Sequence, residues 1–289
     1  MKMKPKQTGR PAIVFLVAGQ SNAGGCGVIS PELHESLGHH KTRPLIPGST
    51  AKEMGLSTDP KDYTHSYIWV PASGFQRVDP NRNTKPDARG HGMELPVVRE
   101  LEKRFPENDI FVIKYGPGAT TLHRDWNPKE QDGDRPCYAT WLSYYREGMA
   151  QLSKTYPQIR VVGLYWDQGE SDGIENKADE YAANLTEFLA ILRRDTGLPQ
   201  LPFFIRKHVF HWDNIDAIIA AQEKVVALDQ HCHMLDIDLS DREKNYDAWA
   251  YSPNNGHVSS KGFVELTKRL FDGPLHEATV ESFDVYKTK

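Results

Sequence analysis

Ala12 to Gly25 reads AIVFLVAGQSNAGG, an apolar run that ends abruptly in Gly-Gln-Ser-Asn. The apolar residues from Ile13 to Ala18 spell a strand buried on both faces, as a central parallel strand is. The strand stops at Gly19. A serine set where a buried strand breaks into a glycine-containing turn holds its hydroxyl at the carboxyl edge of the sheet, where open α/β sheets bind ligands. Ser21 is therefore a candidate nucleophile. Ser21 and Asn22 are equally suited to capping a following helix, so the rest of the chain has to decide between the two readings.

Downstream the chain alternates. Met93 to Phe105 is helical in pattern, with Leu95, Val98, Leu101 and Phe105 on one face, and Ile110 to Lys114 is a β-branched strand. Helix is expected over Thr140 to Tyr156, strand over Arg160 to Trp166, helix over Asn176 to Asp195 and strand over Leu201 to Arg206. Asn214 to Asp229 then reads as helix, His233 to Ile237 as strand and Ser259 to Phe271 as a final helix. With the first strand this predicts a five-stranded sheet, and right-handed crossovers make it parallel with helices on both faces.

The chain has 289 residues, of which 38% are hydrophobic and 10% aromatic, enough for one α/β domain over 1–289. Residues 27–89, rich in Gly, Pro, Ser, Thr and His with one strand-like patch at Ser66 to Val70, read as a loop-rich insertion. A formal net charge of -4 with scattered Lys and Arg argues against nucleic acid as a partner. No apolar run approaches the roughly 18 residues that suggest a membrane span. The basic start from Met1 to Arg10 leads into the apolar run without a small-residue cleavage site, so the chain reads as cytoplasmic, or as secreted or periplasmic if an export signal has been removed. Cys26, Cys137 and Cys232 read as ordinary thiols. His39, His40 and His65 lack ligand spacing and read as surface residues, so no metal is expected.

In such a sheet the segments just after the strands converge on one crevice. Polar clusters sit there: Gln20-Ser21-Asn22, then Tyr115-Gly116-Pro117-Gly118-Ala119-Thr120, then Asp167-Gln168-Gly169-Glu170-Ser171-Asp172, with Asn254-Asn255-Gly256-His257 before the last helix. Acyl transfer needs this set. Serine needs a base, and triads are recognised by geometry rather than by chain order, so His257 can fold back to meet Ser21. A developing oxyanion needs fixed donors, which the Gly118 N–H and the Gln168 amide can supply.

Together GQSN, the segment from Lys114 to Leu122, Gln168-Gly-Glu-Ser-Asp172 and the Gly256-His257 pair resemble the SGNH hydrolases. Within them the chain is most similar to the sialate O-acetylesterase and acetyl xylan esterase group, carbohydrate esterase family six. The resemblance runs over essentially the whole chain and is weakest over 27–89. It implies a flavodoxin-like three-layer α/β/α sandwich with a five-stranded parallel sheet. The implied activity is that of a cofactor-free serine esterase, removing O-acetyl groups from a carbohydrate through an acyl-enzyme. Matched position by position, Ser21 is the implied nucleophile and a backbone donor to the oxyanion, Gly118 the second donor, Gln168 the side-chain donor and His257 the general base.

Two positions depart from that pattern. Ala119 stands where the family has a second glycine, which is tolerable if φ stays negative. Asn254 stands three residues before His257, where many SGNH enzymes carry aspartate, and a neutral amide cannot stabilise an imidazolium as a carboxylate does. The partner of His257 is thus open between Glu170, Asp247 and a dyad oriented by a backbone carbonyl. Glu170 is the first choice. Asn254 also motivates the alternative of a carbohydrate-binding pseudoenzyme on the same fold. Trp126 with Arg124 is a candidate substrate wall beside Gly118, or else a core tryptophan and a solvated cation. Trp69 and Trp212 have no motif to place them.

Overall fold

The computed structural model describes residues 9–37, 44–85, 90–237, 249–250 and 256–287. His39, His40, Asp247 and Asn254 lie outside the described residues.

The strands are β1 (Ala12–Gly19), β2 (Gly27–Val28), β3 (Ser66–Val70), β4 (Gly74–Arg77), β5 (Gly90–His91), β6 (Ile110–Tyr115), β7 (Ile159–Asp167), β8 (Phe203–Arg206), β9 (Cys232–Leu235) and β10 (Asp284–Tyr286). The helices are α1 (Ser21–Gly24), α2 (Pro31–Ser36), α3 (Glu94–Arg104), α4 (Cys137–Ser153), α5 (Glu170–Ile174), α6 (Ala178–Thr196), α7 (Ile215–Leu228) and α8 (Ser260–Asp272). The main sheet runs β4-β3-β6-β1-β7-β8-β9. Its five core strands stand in the flavodoxin-like order second-first-third-fourth-fifth, all parallel.

The sheet is wider than the five strands expected from the sequence. β3 adds to β6 in parallel and β4 folds back on β3, so part of the insertion belongs to the core layer. Aromatic packing explains it: Tyr67 of β3 stacks on Phe111 at 5.1 Å, and Phe75 of β4 meets the same ring edge-on at 4.9 Å. At the other side β8 pairs with β7 only from Leu164 to Trp166, and antiparallel β10 takes the span Ile159 to Val161 left open below it.

Strand β1 divides the core. Val14, Leu16 and Ala18 face the layer of α4, α6 and α7, while Ile13, Phe15 and Val17 face α3 and α8. Apart from the small Ala18, each of these fully buried side chains contributes about 1.5–3 kcal/mol relative to exposure. The strand ends where a side chain can no longer fit. Gly19 has φ +141, and a Cβ on it would lie 2.2 Å from the carbonyl oxygen of Asp167. Gly24 and Gly116 are pressed together in the same way, a Cβ on Gly24 falling 2.1 Å from the Gly116 oxygen. This closeness seats the first turn after β1 directly against the segment after β6.

Candidate active site

The Gln20 N–H still donates to the Asp167 carbonyl at 2.8 Å, so the chain leaves the sheet one residue before the serine. Ser21 opens α1, and its Oγ lies 3.1 Å from Nε2 of His257. The histidine is brought there by its neighbours. The Val258 N–H donates to Oδ1 of buried Asn22 at 2.9 Å, the Ser259 N–H donates to the Trp249 carbonyl at 2.7 Å, and Ser259 Oγ caps α8 by accepting from Gly262. Asn22 therefore lies inside α1 without capping it, and its side chain clamps the histidine segment to the serine turn.

Cys26 stands beside this pair. Its Sγ lies 3.3 Å from the Ser21 carbonyl oxygen and 3.4 Å from Nζ of Lys85. Burial alone would raise the thiol, but the hydrogen bond and charge of His257, followed by Lys85, outweigh it and hold Cys26 below its ordinary value. Burial alone would lower His257, but Cys26, and then the charge of Glu170, hold it above its ordinary value. The reading of Cys26 as an ordinary thiol is corrected here. Cys137 and Cys232 are free and buried, each pushed up to about 12, chiefly by burial.

Gly118 lies alongside Ser21, where a Cβ added to the glycine would stand 3.6 Å from the serine Cβ. Arg135 fixes this loop by donating from its two terminal nitrogens to the Gly118 and Ala119 carbonyls at 2.6 and 2.8 Å. The Pro117 carbonyl is taken by Thr120 Oγ1 at 3.0 Å. N–H and C=O point opposite ways across a trans peptide, so the Gly118 N–H is turned away from Thr120. It donates to no backbone carbonyl among the described residues. Ala119 has φ +54 rather than the negative value that would make its side chain harmless. Such backbone conformations cost on the order of 1 kcal/mol and gather at functional sites.

Glu170 is not brought to the His257 ring. Its Oε1 accepts from Arg206 at 2.8 Å and from the Asn22 amide at 3.4 Å, and lies 3.3 Å from His208 Nδ1. Burial would raise its carboxyl, but His208 and Arg206 together hold it well below the usual carboxylate range. The buried guanidinium explains the misplacement: Arg206 is also held bidentately by Asp167 at 2.7 Å, and it draws Glu170 into the layer behind the serine turn. From there Glu170 acts on His257 through its charge and through the Asn22 clamp on Val258.

Gln168 is likewise corrected. Its amide donates to the Thr120 carbonyl at 2.9 Å and to Asp172 at 2.6 Å, and its oxygen accepts from Tyr181. The side chain is fully buried, its donors spent on holding one loop to another. Trp126 is a core residue, packed edge-on against Trp166 with its indole N–H on Thr120 Oγ1 at 3.1 Å. Arg124 is half-exposed and paired with Glu175 and Asp125. The candidate substrate wall is therefore not formed by these two residues. His65, expected at the surface, is buried, with Nδ1 2.9 Å from the Thr64 hydroxyl.

The residues that sequence reasoning missed carried weak signals. Asn22 sits inside GQSN but serves equally as a cap, Cys26 follows two glycines, and Arg135 lies in a Gly- and Asp-rich loop with nothing to mark it. Among the described residues no group of three His, Cys, Asp or Glu could hold a metal ion, and no helix is long and apolar enough to cross a membrane.

Residues 11–275 match the family described as carbohydrate esterase, sialic acid-specific acetylesterase. No curated protein matches the chain. Among solved structures, a protein from Arabidopsis thaliana aligns with a TM-score of 0.64 at 18% identity, covering 93% of this chain and 99% of that one. NanS aligns with a TM-score of 0.60 at 16% identity over 93% and 98% of the two chains. A carbohydrate acetylesterase from Xanthomonas citri aligns with a TM-score of 0.54 at 12% identity, over 92% of this chain and 57% of that one. At these identities the structures speak for a shared fold.

Proposed function

The chain belongs to the carbohydrate esterase, sialic acid-specific acetylesterase family, and is a carboxylic ester hydrolase that O-deacetylates carbohydrate; we propose that it does so through an acetyl-enzyme on Ser21. The observation that carries this reading is the 3.1 Å approach of His257 Nε2 to the Ser21 hydroxyl. His257 takes the hydroxyl proton as Oγ attacks the acetyl carbonyl, forming a tetrahedral intermediate. The N–H groups of Ser21 and Gly118 stabilise its oxyanion, in a loop that Arg135 has fixed beforehand. As the ester bond breaks, the imidazolium returns the proton to the departing sugar oxygen. Water, deprotonated by the same ring, then attacks the acetyl-serine; as the acyl bond to Oγ breaks, the imidazolium returns that proton to the serine and acetate leaves.

Two nucleophiles share the ring, since Cys26 also contacts His257. The oxygen is the better candidate because Cys26 Sγ is turned onto the Ser21 carbonyl and Lys85. Rapid acid quench during turnover of an O-acetylated methyl pyranoside, followed by peptide mass analysis, tests the reading. One acetyl group on the Ser21 hydroxyl is expected. Acetyl carried on the Cys26 thiol instead would overturn it.

A further inference from the structure

Of the six tryptophans, five are buried; Trp212 is 38% exposed. An indole left open to water forgoes the burial that the other five obtain. Its position is fixed. Trp212 stands between β8 and α7, at the carboxyl edge of the sheet, with Val209 and Phe210 rooted in the core just before it. After it, Asn214 adopts a left-handed conformation at φ +54 and its amide donates to the Gly173 carbonyl at 2.9 Å.

The indole rests on Gly256, the residue bonded to His257. A Cβ on Gly256 would lie 2.3 Å from Trp212 Cζ2, 2.8 Å from Cε2 and 3.1 Å from Nε1. Only a residue without a side chain admits the ring there. One edge of the indole thus lies against the main chain that carries the base, and 38% of the residue stays open to solvent. Pyranose rings present apolar C–H faces that an aromatic ring can cover while polar groups fix orientation. Trp126 is consumed by the core and leaves that role open.

We propose that Trp212 is the platform on which the sugar ring rests while its acetyl ester reaches Ser21, making it the residue that distinguishes acetylated sugars from other acetyl esters. The proposal rests on the esterase reading above. It is tested by kcat/KM for an O-acetylated methyl pyranoside and for ethyl acetate, whose alcohol has no ring to stack, in the wild type, Trp212→Ala and Trp212→Phe. In Trp212→Ala the ratio of sugar ester to ethyl acetate is expected to fall on the order of tenfold to hundredfold, chiefly through KM, with most of the ratio restored in Trp212→Phe. An unchanged ratio in Trp212→Ala, whether both rates hold or both fall together because the indole merely props Gly256, would overturn the proposal. A wild type that cleaves ethyl acetate and no acetylated sugar would instead overturn the functional reading, and this proposal with it.

Discussion

The hydroxyl of Ser21 and the Nε2 of His257 meet at 3.1 Å although 236 residues separate them in the chain. The serine is delivered by the break after β1, and the histidine by the segment that leads into α8. Asn22 joins the two by accepting the Val258 N–H. The contact therefore depends on a buried polar connection as well as on the sheet.

Glu170→Gln separates a positioning role from that of a triad acid. Loss of the carboxylate leaves Arg206 with Asp167 as its remaining carboxylate partner, so stability should fall by about 1–3 kcal/mol. Turnover should fall by about tenfold or less, whereas an acid that directly orients the imidazole is worth up to about 10⁴. Denaturant unfolding and kcat measured side by side check this, and a loss of several powers of ten in a stably folded variant would restore Glu170 as the direct partner.

Gln168→Ala should act on the fold. Removing an amide that bridges Thr120 and Asp172 leaves buried polar groups unpaired, at a cost of about 1–3 kcal/mol. Loss of an oxyanion donor would instead lower kcat by about 10²–10³ with stability intact. Urea midpoints distinguish the two.

The pH profile should report the thiol beside the base. His257 must be neutral to accept the serine proton, so kcat/KM rises as the ring deprotonates, and its raised value places this acid limb above 6.5. Cys26→Ala removes the largest influences that raise the ring and leaves burial and the charge of Lys85, which lower it, against the smaller pull of Glu170. The limb should then move to lower pH. A limb that stays in place or moves up would show that the thiol does not govern the histidine.

Acid sensitivity should arise in part at His91, a fully buried ring with Nε2 2.7 Å from Ser260 Oγ. Burial lowers it to about 4, against the pull of Glu94 and the Gly92 carbonyl. Between 6.5 and 4 the unfolded chain binds a proton here that the folded chain refuses, so stability falls as pH falls across that window. The full effect is about 3 kcal/mol. His91→Gln should flatten the stability curve over the same range, and parallel curves for the two proteins would argue against this assignment.

Local pattern made the serine turn and the five core strands legible. A glycine that must break the strand, as Gly19 must, leaves a mark in the sequence, and so does a run buried on both faces. The joining of β3, β4 and β10 to the sheet was not legible, because it depends on rings that meet across the fold, as Tyr67, Phe75 and Phe111 do. Glu170 and Gln168 were misread for a related reason. Both stand where the chemistry should be, but the first faces a guanidinium supplied by β8 and the second a carboxylate on α5. Which way a side chain turns at a strand end is decided by partners far away in sequence. The same holds for Trp126, whose place beside Gly118 in the chain says nothing of the packing of Trp166 and Phe188 around it.

Acetate release from an O-acetylated methyl pyranoside by Ser21→Ala and Cys26→Ala, measured together, tests the central claim most directly. Ser21→Ala should lose about 10⁴-fold or more in kcat while unfolding at the wild-type temperature, and Cys26→Ala should keep turning over substrate. Near wild-type turnover in Ser21→Ala, with activity abolished in Cys26→Ala, would contradict the account.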